Sequence, residues 1–395
     1  MNDIEKSGMG DTAAASDSQS PQSLPEVQVS VIVPIYNAYD YLGVALDSIL
    51  SQTLKDIEVI CIDDGSTDRS LDIIKKYHEA DSRVRVVTEN NAGVSTARNK
   101  GIVRARGEYI IFLDADDFYE PTLLEKLYNL AKKENLDIAL SKFDIYNSKT
   151  ERFSASVDEK HVDIYAHGAV VSKNEFPDYI FESATGYVWN KLFRAEMIRS
   201  KELTFAPELY IFEDVHFVCA ALSYADRIAK IDEVLIHHRV YSDQSRAKLF
   251  KKYYSKVPDV YLKIKEFLMH NGTYIPLSLS YLNLSASRCY KIYNLLSGDA
   301  KENFWNLLHS GRADSLGWYK HAASDFESDE VYDFVANVGL YTHDQYESRK
   351  KRGKELDTEN LDADDLNKKI KQAKQKEKLT DAGQSLFGRI FGKKK

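Results

Sequence analysis

Cys61-Ile62-Asp63-Asp64-Gly65-Ser66-Thr67-Asp68 and Ile111-Phe112-Leu113-Asp114-Ala115-Asp116-Asp117 are two apolar runs that each end in clustered carboxylates, about fifty residues apart. A third run, 29–35, ends in Pro34-Ile35-Tyr36-Asn37. Apolar, β-branched runs of this length read as strands buried on both faces, the pattern of a parallel sheet. Open α/β sheets hold ligands at the carboxyl ends of their strands, so acids gathered there mark a site. Two Asp residues separated by one residue suit a hard divalent cation carrying a phosphorylated ligand. These features predict a metal-assisted enzyme acting on a nucleotide-linked substrate.

Working outward, Tyr41, Leu42, Ala45, Leu46, Ile49 and Leu50 recur at helical spacing and predict a helix over 40–52. Strands are expected at 57–62, 84–88 and 109–113. Helices are expected from a Ser66 or Thr67 cap to about residue 77, and over 93–106 with Gly107 at its end. The alternation β-α-β-α-β-α-β implies an α/β fold, a parallel sheet with helices on both faces. Further on, a helix is expected at 122–133 and strands at 136–141 and 231–240, with an irregular polar stretch at 147–175. Leu209 to Leu222 carries Glu213-Asp214 ahead of an apolar helical pattern, and 250–346 reads as mainly α-helical and Tyr-rich.

Composition narrows the partners. A net charge of -8 over 395 residues argues against nucleic acid. The three cysteines, Cys61, Cys219 and Cys289, are too scattered for a metal-ligand pair and fit a reducing compartment. No stretch is long and apolar enough to span a bilayer, and no signal peptide is visible. Four regions are expected: a disordered leader at 1–26, a catalytic domain at 27–245, a helical region at 246–347, and a charged linker and basic tail at 348–395. Residues 349–380 read as a solvated helix or disordered linker. Leu386, Phe387, Ile390 and Phe391 alternate with cations before a closing Lys393-Lys394-Lys395. That pattern suits shallow attachment to an anionic membrane surface, with a frayed soluble tail as the other reading. The expected location is cytoplasmic, peripheral at the inner face of the membrane, and the helical region is a candidate partner-binding or homo-oligomerisation module.

Five segments resemble the family 2 glycosyltransferases of the GT-A fold: 31–37, 48–53, Asp63-Asp64-Gly65-Ser66-Thr67-Asp68, 91–99, and Asp114-Ala115-Asp116-Asp117. The resemblance covers roughly residues 28–245, and the C-terminal third matches nothing nameable. It implies a Rossmann-like GT-A sheet and an inverting, metal-dependent transfer from a UDP-sugar. Pro34 and Tyr36 would sit at the uracil base, with Tyr36 stacking on it, and Asp64 would accept the uracil N–H. Arg98 would contact base or phosphate. Asp114 and Asp116, flanking Ala115 in a DXD motif, would lie near the ribose and ligate Mn²⁺ or Mg²⁺. Asp214 would be the catalytic base. Glu213 before it would bind the acceptor or orient the loop.

Other positions carry two readings. Lys191 and Arg239 would neighbour the base or contact phosphate. His238 would be a further metal or phosphate ligand, or purely structural, with strand register deciding between it and His237. Trp189 would line the sugar cleft or belong to the core. Asp63 and Asp68 read as turn or helix caps, and Asp117 as a surface acid. The acceptor would be a glycan, a lipid-linked or protein-linked glycan, or a teichoic-acid-like polymer. An inactive glycan-binding scaffold and a sugar nucleotidyltransferase are the alternatives. The latter lacks its usual Gly-rich phosphate loop after the first strand.

Overall fold

The computed structural model describes residues 27–156, 160–241, 252–352, 362–375 and 377. The expected leader and the basic tail at 381–395 lie outside the described residues. The chain begins with β1 (Val29–Ile35), α1 (Tyr39–Leu50), β2 (Ile57–Asp63), α2 (Ser70–Ala80), β3 (Val84–Thr88), α3 (Val94–Arg104) and β4 (Tyr109–Phe112). It continues through β5 (Phe118–Tyr119), α4 (Leu123–Lys133), β6 (Ile138–Asn147), β7 (Arg152–Ala155), α5 (Ile180–Ser183), β8 (Lys191–Arg194), α6 (Ala195–Ser200), α7 (Glu213–Tyr224) and β9 (Ile228–Val240).

All but one of the strands follow one path, β3-β2-β1-β4-β8-β6-β9-β5, with β7 hairpinned onto β6. The β3-β2-β1-β4 half is parallel, as expected. The other half is mixed: β8 runs antiparallel between β4 and β6, and β5 antiparallel to β9. β8 is four residues long and β5 two, too short for a period to show in the sequence.

Alternation along β1 divides the core. Val29, Val31, Val33 and Ile35 join Leu42, Leu46 and Ile49 of α1, with Leu123 and Leu127 of α4, in one cluster. Ile32 faces the opposite cluster with Ala97 of α3 and Phe217 of α7. The helices Val257–His270, Ser278–Leu295 and Asp329–Leu340 belong to that second cluster, so the helical region packs on one face of the sheet. Phe112 of β4 meets Phe193, Phe205 and Phe217 edge-on there, with centroids 5.1–6.1 Å apart. Buried aromatics of this kind contribute roughly 1.5–3 kcal/mol each.

Three local expectations need correction. α2 starts at Ser70, because Ser66 and Thr67 spend their polar groups on the loop after β1 rather than capping a helix. Asp68 instead accepts the N–H groups of Ser70 and Tyr39. α3 stops at Arg104, and Gly107 is no helix cap: a Cβ there would lie 2.5 Å from the Ser30 nitrogen, so glycine permits the close approach to β1. Finally, residues 363–375 form a helix that is not fully solvated, since Leu366 and Ile370 are buried in the second cluster.

Candidate active site

The loops at the carboxyl ends of β1, β2 and β4 meet in one place. Asn37 ties two of them: its Oδ1 accepts Thr67 N–H at 2.8 Å, and its own N–H donates to Ser66 Oγ. Gly65 takes φ +72° and its Cα faces the Asn91 backbone so closely that a Cβ would sit 2.8 Å from that nitrogen. Asp64 clamps the next loop, accepting the Ala92 and Gly93 N–H groups at 2.7 and 2.9 Å. These contacts shape a cavity of about 460 Å³ lined by Pro34, Tyr36, Tyr41, Arg98, Asp114, Ala115, Asp116 and Tyr241, among others.

Arg98 organises its floor. The guanidinium is 4% exposed and lies 5.2 Å from the Phe205 ring centroid. Nη2 donates to Asp114 Oδ1 and Nη1 to Glu213 Oε1, both at 3.1 Å. One side chain on α3 thus joins the end of β4 to the start of α7. The turn into α7 is held by Phe212 at φ +56°, an uncommon conformation for a bulky residue. Asp214 follows, its Oδ1 accepting the Val215 N–H at 2.8 Å. Burial first, then the neighbouring Glu213, push the Asp214 carboxyl up to about 7, against the pull of Arg98.

The acidic triplet after β4 divides its duties. Asp116 Oδ2 accepts the Tyr241 hydroxyl at 2.8 Å, and Arg239 Nε donates to the Asp116 carbonyl at 2.7 Å. Burial, then the like charge of Asp114, raise the Asp116 carboxyl above the usual range. Asp117 is no surface acid: it is fully buried, accepts Arg239 N–H at 2.8 Å, and pairs with His238 Nδ1 at 3.1 Å. Its carboxyl is pushed up to about 6 by burial, with His238 opposing. His238 in turn stacks on Trp189, centroids 5.1 Å apart, and Trp189 on Tyr187 at 4.9 Å.

The sequence-predicted residues therefore fall into two groups. Pro34, Tyr36, Arg98, Asp114, Ala115 and Asp116 line the cavity; Glu213 is tied to it through Arg98, and Asp214 follows Glu213, close enough to feel the charges of Arg98 and Asp114. Asp64 and Trp189 are not among the lining residues, and each is 3% exposed. Lys191 turns away from phosphate chemistry: it is fully buried, with Nζ donating to the Tyr187 carbonyl at 2.5 Å and to Asn190 Oδ1 at 2.7 Å. A cation inside a short strand is held by oxygens of its own loop, which spacing alone could not foretell. Sequence reasoning missed Tyr241 and the structural use of Asn37. For Tyr241 the signal was its place just beyond His237-His238-Arg239.

Among the described residues no group of three or more His, Cys, Asp or Glu side chains is gathered closely enough to hold a metal ion. Asp114 and Asp116 line the cavity together as hard oxygen donors, and burial, then the like charge of Asp114, raises the Asp116 carboxyl. The Asp117–His238 pair fixes the imidazole on the loop after β4, beside Trp189.

The family model "Glycosyl transferase family 2" matches residues 30–200. EpsH of Bacillus subtilis (strain 168), a putative glycosyltransferase by name, is 32% identical over 247 residues, covering 62% of this chain and 70% of its own. EpsJ of the same strain, an uncharacterized glycosyltransferase, is 34% identical over 215 residues, and this chain spans 60% of its length. The structure of S. aureus TarS 1-349 with UDP-GlcNAc superposes at a TM-score of 0.50 and 20% identity, over 84% of this chain and 95% of that one, a likeness of fold. Among the described residues no helix is long and apolar enough to cross a membrane. The match over the strand ends that build the cavity, and across most of EpsH, places the chain in the family 2 glycosyltransferases of the GT-A fold.

Proposed function

We propose that this glycosyltransferase moves a sugar from a UDP-sugar to a hydroxyl of a glycan, free or carried on lipid or protein, by inverting displacement. The observation that carries the reading is the double hold of Arg98 on Asp114 and Glu213, which brings a candidate nucleotide site and a candidate base to one guanidinium. Tyr36, 52% exposed at the cavity wall, would stack on the uracil, and Pro34 would flank it. Asp64 would accept the uracil N–H while holding its loop.

Asp116 and Asp114, the two acids lining the cavity, would hold Mn²⁺ or Mg²⁺ together with the diphosphate, without His238. When bound, the ion would neutralise charge on the leaving diphosphate. Arg98 would orient Asp114 and add positive charge at the cavity floor. Asp214 would take the proton of the acceptor hydroxyl as the new bond to the anomeric carbon forms. The bond from that carbon to the diphosphate oxygen breaks, and its electron pair leaves with UDP. Attack from the opposite face turns an α-linked donor into a β-glycoside. A carboxyl held near neutrality matches the demand on a general base. Polysaccharide assembly at the cytoplasmic membrane face is the setting we infer, and the acceptor defines it.

Calorimetric titration with UDP in Mn²⁺ and in EDTA tests the donor half. Wild type should bind UDP with metal and weakly without it, and Asp116→Ala should lose that difference. Equal affinity in both buffers would contradict the metal role. No binding in either would favour the scaffold reading.

A further inference from the structure

The helix His343–Lys351 ends in Arg349-Lys350-Lys351, and Arg352 follows it directly. The helix over residues 363–375 carries Lys368, Lys369, Lys371 and Lys374 in its second half. The two basic ends meet at a groove of about 790 Å³, which Arg349 and Arg352 line from the first helix, and Ala373 and Glu377 from the second and just past it. The acids of the second helix, Asp364 and Asp365, lie in its first turn, ~12 Å along the axis from Ala373.

These cations are unmatched. Lys350, Lys351, Arg352, Lys368, Lys369 and Lys371 are exposed, and none of them makes an ion pair or a side-chain hydrogen bond among the described residues. Surface lysines of the sheet domain differ: on α4, Lys126 pairs with Glu233, Lys132 with Glu108 and Lys133 with Glu134. Burial of Leu366 and Ile370 turns Lys368 and Lys371 outward, since both lie roughly 140–200° round the helix from Leu366. In the groove itself, Glu377 Oε2 is engaged by His309 Nε2 at 3.2 Å, and Arg349 lies 4.7 Å from the Tyr341 ring centroid with its Nε unpartnered. The whole chain has a net charge of -8, so this patch stands out on an acidic molecule.

A surplus of unpaired cations selects a polyanionic surface, either a nucleic acid or an anionic bilayer. The sequence just past the patch favours the bilayer. Leu386-Phe387-Gly388-Arg389-Ile390-Phe391 begins nine residues beyond Glu377, at most ~32 Å of extended chain. Large apolar side chains interleaved with cations gain from an acyl boundary and gain nothing from a phosphate backbone.

We propose that the cationic face formed by residues 349–352 and 368–374 docks on an anionic lipid bilayer and holds the enzyme at its surface. The proposal is independent of which sugar nucleotide the cavity takes.

Co-sedimentation of the full chain with phosphatidylcholine vesicles containing about 30% phosphatidylglycerol, at ~0.1 M salt, tests it. Wild type should bind these vesicles and bind pure phosphatidylcholine vesicles at least about tenfold more weakly. A variant with Lys350→Gln, Lys351→Gln, Lys368→Gln and Lys371→Gln, its residues 378–395 intact, should also bind at least about tenfold more weakly, because each cation near such a surface contributes a severalfold factor. A second variant with Lys75→Gln, Lys76→Gln, Lys133→Gln and Lys149→Gln loses the same charge from exposed sites elsewhere and should bind as wild type does. Equal binding by wild type and the patch variant, equal losses in the two variants, no preference for the anionic vesicles, or tighter binding to a DNA duplex than to the vesicles would each overturn the proposal.

Discussion

Arg98 Nη1 donates to Glu213 Oε1 at 3.1 Å across 115 positions of sequence, and this contact fixes where α7 begins relative to the parallel half of the sheet. The same guanidinium holds Asp114, so its loss strands two largely buried carboxylates together. Arg98→Ala should cost about 3–5 kcal/mol in denaturant unfolding, the range for breaking buried ion pairs from one side. Arg98→Lys keeps the charge without the planar fork and should cost less. A change below about 1 kcal/mol in the alanine variant would show that the pairs do not hold the site.

Asp214 must be ionised to accept a proton, and burial beside Glu213 raises its pKa to about 7. The chemical rate should therefore fall as pH drops through about 7, approaching tenfold per unit on the acid side. Single-turnover rates across this range would show the limb. A rate flat to about pH 5 would contradict the raised pKa of Asp214, since an unperturbed carboxylate titrates near 4.

Much of this site was legible because of how parallel strands are built. β1, β2 and β4 are buried on both faces, so each is a mainly apolar run, broken only by Ser30 and Glu58 near the start of β1 and β2, and the polar residue that ends the run is the one at the ligand edge. Asp114 and Asp116 could thus be singled out in advance, whereas Asp214, in the first turn of α7, came only from the family resemblance. The contacts between distant segments could not. Asp117 pairs with His238 across 121 positions, and nothing in Asp-Asp-Phe distinguishes a buried anchor from a surface acid. Lys191 misled for a related reason: a cation near the acids suggests phosphate, yet its partners are the oxygens of its own loop. Short antiparallel strands such as β8 carry too few residues to betray their direction.

Glu182 lies on α5 with its Oε2 accepting the Ser280 hydroxyl at 2.8 Å, in the seam between the sheet domain and the helical region. Burial above all raises its pKa from 4.5 to about 8. A carboxyl whose folded pKa exceeds its unfolded value favours the folded state fully below about 4.5, and that contribution is lost as pH rises through about 8. Melting temperature should decline across this window in wild type, and Glu182→Gln, which stays neutral, should flatten the decline. Parallel curves for the two proteins would show that Glu182 ionises in the folded state without cost.

Cleavage of a UDP-sugar in this cavity, with Asp214 as the base, is the step that decides the function. Wild type and Asp214→Asn should be compared for turnover of UDP-glucose, UDP-galactose, UDP-N-acetylglucosamine and UDP-N-acetylgalactosamine with Mn²⁺, alongside UDP affinity. Wild type should release UDP from one of these donors. The variant should be slower by at least about a hundredfold, the lower range for loss of a general base, while binding UDP as wild type does. Equal turnover by both proteins, or none of the four donors cleaved by wild type, would contradict it.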